Sequence, residues 1–132
     1  MKKLAFAATT AALLCLGPTL AIAAEQWLVT EEILGGVKGA QGNWRITREG
    51  AKIKGVADMQ AGNGATLTYN IEGEMAAEGN YTIALSDRSD GKKGCVWTAH
   101  PPKAGGSQTE GLAGYAECEG TKLILRASIF GR

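Results

Sequence analysis

The sequence predicts an all-β protein: a small antiparallel up-and-down meander of seven or eight strands, closed into a barrel, with a β-sandwich as the alternative. Three observations carry this. In ATLTYNIEGEM, Leu67, Tyr69, Ile71, Gly73 and Met75 fall on one face, while Thr66, Thr68, Asn70, Glu72 and Glu74 fall on the other. An unbroken period of two marks a half-buried antiparallel strand. KIKGVADM and NYTIALS repeat the scheme through Ile53, Gly55, Ala57 and Met59, and through Tyr81, Ile83 and Leu85. Turn clusters (TREGAK, AGNGA, AAEGN, SDRSDGKKG) separate these segments at short intervals.

From the N-terminus, Lys2 and Lys3 precede an apolar run from Leu4 to Leu16, then Gly17-Pro18 and small residues ending in Ala21-Ile22-Ala23. This is the layout of a secretory signal peptide, cleaved after Ala23 or one residue later. The apolar run is shorter than the roughly 20 residues a bilayer crossing needs. Leu14, just before Cys15, also departs from the small residue a lipoprotein signal requires there. Residues 24–132 then form a single β domain of 109 residues, large enough to bury its own core. The expected location is periplasmic or secreted, with no membrane anchor after cleavage. The mature part carries about one net negative charge, without the basic footprint of a nucleic-acid binder.

QWLVTEE at 26–32 and NWRITRE at 43–49 are nearly the same phrase. The second runs into a Gly turn and is read as a strand. The first runs into ILGG and leaves two readings open. One is a strand at 26–30. The other is a short N-terminal helix over 25–34, with Trp27, Glu31 and Leu34 at helical spacing and Gly35 as its stop. The remaining strands are expected at 43–48, 52–59, 65–75, 80–86, 94–99, 111–117 and 121–130, the last pairing back toward the first. A two-residue Glu49-Gly50 loop would set Ile46 opposite Ile53. A loop Ala77-Glu78-Gly79, with Gly79 left-handed, would set Met75 opposite Tyr81, Gly73 opposite Ile83 and Ile71 opposite Leu85. Gly114 and Gly120 repeat the spacing of Gly73 and Gly79, as though one hairpin were used twice. A mid-strand glycine suggests a bend or a close approach.

Cys95 and Cys118 survive processing and are expected to pair as a disulfide in an oxidising compartment. The bridge would close a loop of about 24 residues and stabilise by roughly 3 kcal/mol in the chain-entropy model.

Gly42-Asn43-Trp44 is a G-x-W at the start of the first secure strand, a placement that resembles the calycin group: lipocalins, avidin-like proteins and small periplasmic metalloprotease inhibitors. The resemblance covers architecture. It implies that Arg126 in LILRASIF packs over Trp44, which the residues themselves place most simply as a core plug at one end of the barrel. The positions of Cys95 and Cys118 depart from the inhibitor pattern.

Chemistry is sparse. His100 is the only histidine, and no Ser, Cys or carboxylate constellation points to it, so no catalytic residues, metal ligands or cofactors are expected. Glu31/Glu32, Glu117/Glu119 and the charged tip RSDGKKG read as solvated. Trp97 shares a face with Cys95 and is expected to pack against the disulfide. The candidate contacts for a ligand or partner are Trp44, Trp97, His100, Lys103 and Gln108; the loop 100–110, enclosed by the disulfide, is the longest irregular segment. Two functions remain. One is a non-enzymatic binding module for an unidentified small ligand or protein. The other is a protease inhibitor acting through loop 100–110 or an extended N-terminal segment, 24–42, lying outside the barrel.

Overall fold

The structure, a computed structural model, describes residues 22–34, 37–101 and 111–130. They form eight strands in chain order: β1 (Ile22–Ile33), β2 (Val37–Glu49), β3 (Lys52–Ala61), β4 (Thr66–Met75), β5 (Tyr81–Ser86), β6 (Cys95–Ala99), β7 (Gly111–Cys118) and β8 (Thr121–Phe130). Each strand pairs with its neighbour, and β8 returns to pair with β1, so the sheet closes into a barrel. Closure removes both sheet edges and settles the choice against a sandwich. The connections after β1, β3, β5 and β7 lie at one end, here the upper end; those after β2, β4 and β6 lie at the lower end.

The lookalike phrases are adjacent strands. Trp27 lies directly opposite Trp44, and their rings stack at 5.7 Å between centroids, 16° from parallel. The helical reading of 25–34 is therefore corrected. Glu25, Trp27, Val29 and Glu31 alternate inward along β1 and are all buried, a period of two that a helix could not present to one core. The extended outer segment expected at 24–42 is corrected with it, because β1 is paired on both sides, to β2 and to β8. β1 also begins two residues inside the expected leader, with Ile22 opposite Glu49 and Ala23 opposite Arg48.

The β4–β5 register is as the sequence predicts, with Met75 opposite Tyr81 and Gly73 opposite Ile83. A single 3-10 turn, Ala77–Gly79, closes it with Gly79 at φ +80°. At the β2–β3 hairpin the loop is Gly50-Ala51 instead of Glu49-Gly50, so Ile46 faces Gly55 and Arg48 faces Ile53. That slip of two keeps every side chain on its own face, which is why alternation alone could not exclude it. The two glycine-spaced hairpins also differ. Gly73 meets a residue ten positions on, whereas Gly114 meets Leu125 across the tighter Glu119-Gly120 turn. Both mid-strand glycines mark close approaches. A Cβ on Gly73 would collide with Thr82 O, and one on Gly114 would collide with Thr98 O.

The interior is filled. Trp27, Trp44 and Trp97 are completely buried, surrounded by Ile71, Ile83, Leu85 and Leu125. Outward positions on the middle strands are largely charged or polar: Lys52, Lys54, Asp58, Glu72 and Glu74. A membrane barrel would instead face outward with an apolar band.

Candidate functional site

Two ion pairs reach into the barrel, a half-buried one toward the lower end and a buried one toward the upper. Toward the lower end, Glu25 accepts from Trp27 Nε1 at 2.9 Å and from Arg48 Nη2 at 2.9 Å. Hydrogen bonding to Glu25 holds the Arg48 guanidinium well above its ordinary range, against the desolvation that opposes it. Toward the upper end, Arg88 leaves the β5–β6 connection and turns inward. It makes two bonds to Glu31, at 3.0 and 3.1 Å, and two to Asp90, at 2.8 and 3.0 Å. Its Cζ lies 4.6 Å from the centre of the Tyr69 ring. Tyr69 Oη accepts from Trp44 Nε1 at 3.1 Å and donates to Glu31 at 2.6 Å. Burial, reinforced by the Glu31 charge, pushes the Tyr69 phenol well above its usual range. Burial also works against ionised Asp90, but the hydrogen bonds from Arg88 and from the Lys92 backbone outweigh it and hold the carboxyl well below the usual range.

The β5–β6 connection is thus a plug. Asp87 enters it at φ +53°, and Gly91 and Gly94 are also left-handed. Thr68 N donates to Ser89 Oγ at 3.0 Å and Ser89 N to Thr68 O at 2.9 Å, which ties the loop to β4. The disulfide between Cys95 and Cys118, both buried, anchors its far end to β7. The sequence reading of Glu31, and of Arg88 within RSDGKKG, as solvated is corrected here, while Ser89, Asp90 and Lys93 of that tip are exposed. Glu31 sits on the inward parity of β1, a signal visible once that segment is a strand. Arg88 lies in a loop, where no periodicity reveals which side chain turns inward.

Beside the plug the mouth opens as a cleft of about 330 Å³. Buried Ala40, Leu67 and Leu123 line its depth, and Asn63, Thr66, Ser89 and Lys92 contribute polar groups. At the tip of the β1–β2 hairpin, which joins the cleft at Ile33, three large apolar side chains face solvent: Ile33, Leu34 and Val37 are 49%, 53% and 62% exposed. Apolar groups clustered in the open beside a concavity are the usual mark of a contact surface.

The structure does not bring the sequence-predicted contacts together. Trp44 and Trp97 are completely buried in the core, where Trp97 Nε1 donates to Gly114 O at 3.1 Å and its ring meets Trp44 edge-on at 5.5 Å. Neither can meet a ligand from outside. Trp44 is buried against Trp27, Tyr69 and Trp97, so it is a central residue and does not cap one end. His100 is exposed at the lower end, with Nδ1 3.2 Å from Asn80 Oδ1. Lys103 and Gln108 lie outside the described residues, as does most of loop 100–110. Arg126 points outward and pairs with Glu32 at 3.3 Å, because Leu125 and Ala127 take the inward positions on β8. It does not pack over Trp44. Gly42-Asn43-Trp44 lies within the second strand, not at the start of the first. Among the described residues no group of three or more His, Cys, Asp or Glu could hold a metal ion.

Fold and site together define a closed, solid eight-stranded barrel whose upper mouth is plugged by its own arginine. Comparison with family models, with curated proteins and with solved structures finds no match for this chain.

Proposed function

We propose that this protein is a non-enzymatic, periplasmic or secreted binding module that takes an apolar group of its partner at the upper mouth and not in the barrel interior. The observation that carries this reading is the joint exposure of Ile33, Leu34 and Val37 beside a cleft with an apolar lining, in a barrel whose centre is full of tryptophan. Secretion is supported by the leader-like N-terminus and by the disulfide, a bond typical of oxidising compartments. The protease-inhibitor alternative now rests on loop 100–110 alone, since 24–42 is built into the wall. Kinship with calycin barrels is supported by the closed meander but not by the place of the G-x-W or of Arg126.

Native mass spectrometry of protein exported to and purified from its own compartment tests the reading, with wild type beside Val37→Asp. A retained or captured partner is expected with wild type and strongly reduced with Val37→Asp, whose fold is checked by circular dichroism. A partner held equally by both proteins would overturn the mouth as the site. A bare wild-type chain that also captures nothing from an extract of that compartment would overturn the binding module itself.

A further inference from the structure

The outer wall on the lower half of the barrel carries a charge pattern that the mouth does not use. Register sets Lys52 beside Glu74 and Lys54 beside Glu72. The outward side of β3 is thus a lysine column and that of β4 a glutamate column, all four side chains exposed. Among the described residues none of the four joins an ion pair. On one flank β2 presents Thr47 and Glu49; on the other β5 presents only the short Thr82 and Ala84. These columns line one open groove of about 900 Å³.

We propose that this wall is where a second copy of the chain docks, as a two-fold homodimer. An axis lying in the interface, parallel to the strands and between β3 and β4, exchanges the two central columns. Lys52 then faces the other copy's Glu74 and Lys54 faces its Glu72, and each pair is made twice. The same rotation sets Glu49 over the other copy's Thr82 and Thr47 over its Ala84, so a longer column meets a shorter one. The charges also choose the occupant. A uniformly basic or acidic partner would be attracted by one column and repelled by its neighbour about 4.8 Å away. A copy of the same wall, turned over, presents the opposite sign at every charged central position. An axis along the strands preserves their direction, so both upper mouths open on the same side. The dimer is bivalent, and a partner with two apolar groups gains affinity through effective concentration.

Sedimentation velocity on the full mature protein over a range of concentrations tests this, using wild type, Lys52→Glu/Lys54→Glu, Glu72→Lys/Glu74→Lys, and an equimolar mixture of the two variants. Wild type is expected to dimerise at low salt and to dissociate as salt screens the pairs. Each reversal alone should weaken association by roughly a hundredfold or more, through like charges facing each other. The mixture should associate again, because each altered column then meets its complement. A wild type that stays monomeric at every concentration, a dimer indifferent to both reversals, or a mixture that stays monomeric would each overturn the proposal. If a reversal variant does not fold, Ala84→Arg on the groove floor replaces it, and a dimer that survives Ala84→Arg overturns the proposal equally.

Discussion

Arg88 is the residue on which the upper end depends. Its guanidinium is buried, shared between Glu31 and Asp90, and laid against Tyr69. Breaking a buried pair by removing one partner strands the other charge in a poor solvent, at a cost of about 3–5 kcal/mol. Arg88→Met, which keeps the volume and removes the charge, should lower stability by that amount in urea denaturation. Lys93→Ala, on the exposed side of the same loop, should leave it near wild type. The Tyr69 phenol, which lies under the Arg88 guanidinium and shares Glu31 with it, bears on stability in alkali. Tyr69 is raised, so the folded state favours the neutral phenol. That contribution is complete below the unfolded value of about 10 and is lost as pH rises through the folded value. The melting temperature should therefore fall in strongly alkaline solution, and the fall should be shallower in Tyr69→Phe than in wild type. Equal slopes would show that Tyr69 is not the group responsible.

At the scale of elements, the barrel is not equally strong around its circumference. β1 and β2 pair along nearly their whole length. Between β6 and β7 only Val96 with Glu117 and Trp97 with Ala116 form a ladder, joined by a bridge from His100 to Ala113. The disulfide crosses this thinnest seam. Removing it with Cys95→Ala/Cys118→Ala should cost about 2–5 kcal/mol. Amide exchange should rise first in β6 and β7, leaving β1 and β2 protected. Uniform loss of protection would mean that the bridge constrains the unfolded chain without guarding the seam.

For the molecule as a whole, alternation made the strands, the meander and closure legible, because every wall segment has one face in the core. Register was less legible where two apolar alignments lay two residues apart, as Ile46 shows by facing Gly55. The ends of the barrel were least legible. Glu25 and Glu31 look like surface charges until β1 is recognised as a wall with Trp27 and Val29 between them. Arg88 turns inward for reasons held by Glu31, far away in sequence and adjacent only after folding. The tryptophans drew attention as contacts because aromatic rings are common in binding sites. Here Trp27 stacks on Trp44 and Trp97 meets Trp44 edge-on, so the three fill the space a ligand would need.

The pairing of β1 with β8 sets a schedule for the chain. Gln26 finds its partner in Phe130, so the first strand to be made must wait for the last before the cylinder can shut. Until then both strands are open edges, and the contact that completes the fold is among the longest-range the sequence allows, the kind that closes slowly. An intermediate lacking β8 would offer β1 to any strand nearby, another copy included. A chain with this topology protects its two edges only at the step that brings β8 to β1.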